Sequence, residues 1–373
     1  MIIKILKTLQ FVLKNRSELT FKKVKKNKIV IFDKIGSEHL LPLFNKDQVT
    51  ILETRFEKIY LIYLIKCILN MKFELANYFS MIIEEINPKI VITLIDNKPQ
   101  FYQLKNIISN NEVKFISIQN GTRRKIGDIF GVIENYKNLS SDFYFVWGDI
   151  ITKNLSKYIS SNFIQIGSFK NNNYEISSSN KKLNEINFIS QFRKNNFYKS
   201  YGDDYFIEKK LIPLLYDFCL LKNLTLNILC ASNHEEEKIF YKNLLKSHDV
   251  LIFSNKENPE SNYKKLDEGL INVFIDSTLG YESFARKNRT LACSLRLQKI
   301  DENTMRFGWP EHVKYENEIF NLKELSKEHI FKKIDYLLNL SDEDWTKANM
   351  KIDDIILYDE HNSRLKELIN RFV

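Results

Sequence analysis

Glycine and proline are scarce in this sequence, ten and six among 373 residues. It has no Gly-x-x-x-x-Gly-Lys-Ser/Thr loop and no Gly-x-Gly-x-x-Gly turn, which argues against an ATPase and against a dinucleotide enzyme. Where glycine is avoided, those that remain mark places where backbone geometry needs them. Cysteine is equally sparse. Cys67, Cys219, Cys230 and Cys293 stand far apart in apolar stretches, with no CxxC pair or Cys/His cluster. Neither a zinc site nor a disulfide framework is supported, and buried free thiols in a reducing cytoplasm are the plain reading. No apolar run reaches the roughly 18 residues of a spanning helix.

What is present is an ordinary globular composition with a basic excess. Hydrophobic residues make up 44% and charged residues 28%, enough to bury two cores at this length. The net charge of +9 is spread along the chain apart from one dense run, Lys22 to Lys28. No aromatic-interleaved RNA motif accompanies it, so a solvated lysine surface is expected and nucleic acid is not. Met1 to Leu13 reads as an amphipathic helix carrying Lys4 and Lys7, followed by Lys14 and Arg16. It lacks the small-residue cleavage site of a secretory signal. Two readings of it stand: a helix packed on the first domain, or an anchor on the inner membrane surface.

Short β-branched or aromatic runs alternate with helical periods, the pattern of parallel α/β layering. Strands are expected at 28–32, 48–52, 90–94, 113–118, 143–147 and 163–166, with one long helix over 59–86 and shorter ones over 100–108 and 150–158. The polar stretch 168–185, rich in Asn and Ser, reads as a linker. Beyond it the alternation restarts. Strands are expected at 186–190, 224–230, 250–253, 273–275 and 290–293, and helices at 205–221, 235–246 and 279–286, with a polar loop after 253. The expectation is two Rossmann-like domains facing a central cleft: 1–167, with a basic segment 1–27, and 186–373, with C-terminal helices.

The sharpest segment is Asp276-Ser277-Thr278-Leu279-Gly280-Tyr281-Glu282, at the end of an apolar strand and the start of a helix. Ligands of open α/β sheets bind outside such strand ends, and the free amides of a helix start suit a phosphate. Ser277 and Thr278 add hydroxyls, Gly280 allows close approach, and Glu282 is placed to accept from ribose hydroxyls. The plain alternative is that Ser277 merely caps the helix and Glu282 favours its N-terminus. Gln119-Asn120-Gly121, with Arg124 nearby, could grip a sugar and offset phosphate charge; it could also be a simple Asn-Gly turn. Asp96 and Asn97 end the preceding strand, and Asp96 is a candidate base or nucleophile or a routine helix cap. Ser190, Gln191 and Arg193 end the first strand of the second half, where a donor's phosphate or base can lie. His234 could cap the next helix or touch the nucleotide.

These residues resemble a family. DSTLGYESFARKNRT is similar to the donor-site signature of surface-carbohydrate (O-antigen and capsule) biosynthesis proteins of GT-B fold. VITLIDN, FISIQNGTRR, FVWGDI, INFISQFR, FGWP and LSDEDW follow that family's pattern in the same order, across roughly residues 28 to 350. Capsule Kdo transferases and teichoic-acid glycerophosphotransferases are more distantly similar. One departure is Lys287-Asn288, where Gly-Lys is more usual.

The resemblance implies transfer of a sugar from a nucleotide donor to a lipid-linked glycan at the inner membrane face, without a bound metal or other cofactor. It assigns Ser277, Thr278, Gly280 and Glu282 to the donor nucleotide, Gln119, Asn120 and Gly121 to the sugar, and Asp96 to catalysis. A CDP-polyol phosphotransferase, a sugar 2-epimerase of similar architecture, and a non-catalytic nucleotide-sugar-binding partner are the alternatives. The first usually carries His-Gly-Thr-Pro where this chain has Gln119-Asn120-Gly121-Thr122.

Overall fold

The computed structural model describes residues 18–122, 137–177, 183–192, 205–232, 234–255, 258–295, 319–322 and 324–372. The N-terminal segment 1–17, Arg124, Arg193 and the FGWP run lie outside the described residues. The chain divides into two compact units. One falls within Met1–Asn120, Ile129–Lys170 and Asn362–Val373, the other within Gly121–Asp128 and Asn171–His361.

The first unit begins with β1 (Leu19–Thr20), β2 (Ile29–Phe32), a single helical turn α1 (Ser37–Leu40) and β3 (Val49–Leu52). Next come β4 (Ile59–Tyr60), α2 (Leu61–Leu69), α3 (Leu75–Ile86), β5 (Ile90–Thr93), α4 (Pro99–Ile107), β6 (Lys114–Ile118), β7 (Leu139–Val146), α5 (Asp149–Leu155) and β8 (Ile159–Gln165). Six strands form one parallel sheet in the order β3-β2-β5-β6-β7-β8. Every residue of β2 (IVIF) and β5 (IVIT) is buried, as expected of parallel strands covered on both faces.

The long helix expected over 59–86 is interrupted. α2 closes with Met71 at φ 57, whose amide bonds Ile68 O while Lys72 N reaches back to Cys67 O. This is a Schellman-type stop, with methionine where glycine is usual, so no breaker residue announces it.

The second unit runs β9 (Glu185–Ile189), α6 (Phe206–Lys222), β10 (Thr225–Leu229), α7 (Glu235–Lys242), β11 (Leu251–Ser254), α8 (Pro259–Glu268), β12 (Ile271–Phe274), α9 (Thr278–Ala285) and β13 (Thr290–Ala292). It continues with α10 (Lys327–Asn339) and α11 (Asp342–Asn349). Its five parallel strands lie in the order β11-β10-β9-β12-β13. The helix α8 stands within the stretch whose sequence reads as a polar loop. Asn258 and Ser261 form a capping box and Pro259 opens the first turn. That start signal is hidden by the polarity of the helix itself.

Two further expectations change. The last helix, α12 (Ser363–Asn370), falls by sequence position in the second domain, yet Leu365, Leu368 and Ile369 pack with Ile29, Ile92 and Phe145 in the first unit's core. The first part of the expected linker is tied down. Arg286 donates to Asn171 Oδ1 at 3.1 Å and Tyr174 O at 3.0 Å, and Asp267, its ion-pair partner, accepts from Ser177 N at 2.9 Å. The pair is almost fully enclosed, 1% and 3% exposed, so residues 171–177 form a strap on the second unit.

Candidate functional site

In the second unit the chain winds outward from β9 through β10 to β11, then crosses back to place β12 on β9's other side. The order reverses between β9 and β12, and crevices outside the carboxyl ends at such a reversal are where open α/β sheets bind ligands. The residues there are Ser190 and Gln191, after β9, and Ile275 to Thr278, after β12. Gln191 Oε1 accepts the Asp276 amide at 3.1 Å, tying the two strand ends together.

Asparagines fix the register beneath this point. Asn187, Asn227 and Asn272 sit opposite one another on β9, β10 and β12. Asn227 Nδ2 donates to Asn187 Oδ1 at 3.1 Å and Asn187 Nδ2 to Asn272 Oδ1 at 2.8 Å. Asn272 Nδ2 donates on to Ser283 Oγ of α9 at 2.9 Å. Gly269 is required beside this row, because a Cβ there would lie 2.2 Å from Asn187 Nδ2. The ladder is absent from the residues singled out by sequence; its one signal is a single Asn interrupting each of three apolar runs.

The helix α9 opens at this reversal. Ser277 is its N-cap residue in extended conformation, yet its side chain makes no capping hydrogen bond. The plain capping alternative for Ser277 is therefore not what the structure shows. Ser277, Thr278 and Leu279 are all half-buried, and the first turn leaves the Thr278 and Leu279 amides without an intrahelical acceptor.

Gly280 has a different role from the one expected. A Cβ on it would lie 2.0 Å from Phe274 Cγ, so the glycine lets α9 press on β12 rather than letting a phosphate approach. Glu282 lies in the second turn, not the first, and is 2% exposed. Its Oε2 accepts from Tyr263 Oη at 3.1 Å. Burial, and then the charge of Glu282, push the Tyr263 phenol well above its ordinary pKa, which keeps it protonated as donor to Glu282.

Ser190 also differs from expectation. Its Oγ donates to Glu237, accepts from the Phe192 amide at 3.1 Å and meets Tyr241 Oη at 2.8 Å. Glu237 in turn holds the amides of Ala231 and Ser232, each at 2.9 Å. Ser190 is thus a strut under the loop, whereas Gln191 is half-buried beside the helix start. His234 precedes α7 without a side-chain cap.

The first unit has its own reversal, between β2 and β5. Asp96 ends this region, 1% exposed, with Oδ2 accepting from Tyr144 Oη at 3.0 Å. Tyr102 Oη donates to the Asp96 carbonyl, also at 3.0 Å. Asn97 beside it is exposed. Gln119 is 3% exposed and spends its Oε1 on the Trp147 amide at 2.8 Å, bracing β6 to β7 instead of lining an open pocket. Asn120 Oδ1 is buried with no hydrogen-bond partner among the described residues, and Gly121 follows it half-buried.

A cluster outside the residues singled out by sequence completes this strand-end region. Asp33 follows β2 at φ 103, a strained conformation for a residue with a side chain. Its carboxylate accepts from the Ile35 amide at 2.9 Å and Thr54 Oγ1 at 2.8 Å, and pairs with Lys98 Nζ at 2.5 Å and Arg55 Nε at 3.5 Å. Burial opposes its ionisation, but the Lys98 contact and the two hydrogen bonds outweigh it and hold the carboxyl below its usual range. Asp33 stands at the end of an expected strand, the one signal available.

Among the described residues no group of three or more His, Cys, Asp or Glu is arranged to hold a metal ion, and none of their helices is long and apolar enough to cross a membrane.

Comparison with known proteins finds the same fold in solved structures. The chain resembles in fold UDP-GlcNAc 2-epimerase from Neisseria meningitidis bound to UDP-GlcNAc, with TM-score 0.52 and 10% identity over 92% of this chain and 99% of that one. It also resembles S. aureus MnaA in a co-structure with UDP, with TM-score 0.53 and 12% identity over 93% and 97%. A third is UDP-GlcNAc 2-epimerase from Methanocaldococcus jannaschii in complex with UDP-GlcNAc and UDP, with TM-score 0.51 and 12% identity over 92% and 99%. At such identity the likeness is one of fold, the two-domain GT-B type. No curated protein matches the sequence. Residues 116–373, more than half of the chain, match a family described as "putative O-antigen biosynthesis protein". The chain belongs to this O-antigen biosynthesis protein family.

Proposed function

We propose that the protein is a glycosyltransferase that moves a sugar from a nucleotide-sugar donor to a growing bacterial surface glycan. The observation that carries this reading is the β9/β12 reversal. There Gln191 and Asp276 join two strand ends beside a helix start whose first amides have no acceptor within the helix, with Ser277 and Thr278 at its mouth. Amides at a positive helix end bind phosphate oxygens, so the donor's diphosphate belongs at Thr278 and Leu279. Membership of the O-antigen biosynthesis family supports a glycan product. The fold shared with proteins solved with UDP or UDP-GlcNAc makes UDP-GlcNAc the first donor to try.

Inverting transfer needs a base for the acceptor hydroxyl, with a pKa near the working pH. Asp33 is unsuited, since its cationic neighbours depress it. Asp96, at the same strand ends with its carboxylate accepting from Tyr144 Oη at 3.0 Å, is the carboxylate we assign as base. Asn97, Asn120 and Gly121 supply the sugar side, and Asn120 Oδ1 offers an acceptor for a sugar hydroxyl.

The test measures transfer from UDP-GlcNAc and other nucleotide sugars to lipid-linked acceptors, together with donor stabilisation in thermal melts. Donor at about 100 times its dissociation constant adds about 2.7 kcal/mol. Asp96→Asn is expected to keep that stabilisation and lose transfer. Full transfer by Asp96→Asn removes Asp96 from the site, and donor epimerised without transfer replaces the reaction class.

A further inference from the structure

The helix α2, LIYLIKCIL, buries only Tyr63 and Cys67. Those two lie one turn apart, and Cys67 Sγ meets Met81 Sδ of α3 at 3.5 Å. The rest of an almost wholly apolar helix is left partly or fully in solvent: Ile65 is 46% exposed, Leu69 77%, and Met71 just beyond its end 59%. An amphipathic surface helix keeps one apolar stripe and hides it; α2 hides one stripe and shows another. Parallel pairing of β1 with β4 sets Leu19 against Ile59 and Thr20 against Tyr60. Phe21, 73% exposed, therefore leaves β1 beside the point where α2 begins. Ile65 and Leu69 stand one turn apart on the same side of α2, with Met71 just past its end and Phe21 near its start, and such a grouping of exposed apolar side chains calls for a partner.

The charge around it identifies the partner. Segments 18–28 and 61–74 carry seven lysines and two glutamates, and one of those lysines, Lys26, pairs with Glu85 of α3 at 3.1 Å. Lys22 and Lys23 follow Phe21 directly and are exposed, as are Lys66 and Lys72 on either side of Leu69. Long lysine stems beside apolar side chains suit an interface where the ammonium meets headgroups and the stem meets acyl chains. The N-terminal segment 1–17 is a poor cover for the patch on charge grounds, because it holds Lys4, Lys7, Lys14 and Arg16 and no acidic residue.

We propose that Phe21, Ile65, Leu69 and Met71, with the exposed Lys22, Lys23, Lys66 and Lys72 next to them along the chain, form a docking surface for an anionic lipid bilayer. This surface does not depend on the transferase reading, and its test is separate from donor binding and transfer. Lysines near a charged leaflet are attracted within a Debye length, and the apolar side chains then enter the acyl boundary.

Protein comprising residues 1–373 is sedimented with vesicles of phosphatidylglycerol and phosphatidylcholine, and with phosphatidylcholine alone. Binding is expected only to the anionic vesicles, weakening with added salt. The triple variant Ile65→Ser, Leu69→Ser, Met71→Ser is expected to lower partitioning at least about tenfold with an unchanged melting curve, since all three residues are exposed. Lys22→Glu with Lys23→Glu is expected to lower it as well. The proposal is overturned if wild-type protein stays in the supernatant or if the triple variant pellets like wild type. It is equally overturned if Leu9→Ser with Phe11→Ser alone removes binding, which assigns the anchor to the N-terminal segment.

Discussion

Asp33 shows what a single residue can commit to. Its carboxylate is fully enclosed, and it holds a lysine, an arginine, a hydroxyl and an amide at the end of β2. Replacing it with Asn removes the charge that Lys98 and Arg55 share. Leaving such groups poorly satisfied costs roughly 1–3 kcal/mol. Because Asp33's folded pKa is depressed, its contribution is fully present above the unfolded carboxyl value of about 3.9 and disappears as pH falls through the folded value. Urea midpoints of wild type and Asp33→Asn should therefore differ by a constant amount from pH 5 to 8 and converge in acid. A gap that persists or widens in acid contradicts the ion pair.

At the scale of elements, the parallel strands are the most legible part of the sequence. Runs such as IVIF and IVIT are buried on both sides and so are apolar throughout, a pattern bounded by polar residues. The expected strands of both sheets fall within a few residues of those found. What is not legible depends on contacts distant in sequence or on conformation without a residue signature. Met71 in a left-handed conformation ends α2 with no glycine to mark it, and α8 is too polar to stand out from a loop. The allegiance of α12 is decided by Leu365 and Leu368 meeting strands more than two hundred residues earlier.

Within the candidate site, Ser277 and Thr278 stand where the sequence places them, at a strand end opening into a helix. The inward turn of Ser190 and Gln119 is unreadable there, because a hydroxyl or an amide serves equally well as strut or as ligand. Gly280 is the instructive case at this scale. Elsewhere in a helix, Gly→Ala gains up to about 1 kcal/mol. Here the new Cβ would meet the Phe274 ring at 2.0 Å, and overpacking costs about 1–3 kcal/mol. Gly280→Ala is expected to lower the melting temperature by several degrees; a rise would show that α9 does not press on β12.

Among the described residues the six-stranded and the five-stranded parallel sheet each have their own reversal of strand order, and polar residues gather at both. In the second unit the reversal coincides with a helix start, paired strand ends and a buried asparagine row holding the register. In the first it coincides with the Asp33–Lys98 pair and Asp96. The basic excess, uninformative as a sum, becomes informative by location, since exposed lysines of segments 18–28 and 61–74 adjoin exposed apolar side chains along the chain.

A crystal structure of the protein with UDP is the most direct test of donor binding at the start of α9. The account predicts the diphosphate within hydrogen-bonding distance of the Thr278 and Leu279 amides, with the Ser277 or Thr278 hydroxyl and Gln191 beside it. Nucleotide bound in the first unit, or bound anywhere with the start of α9 untouched, contradicts it.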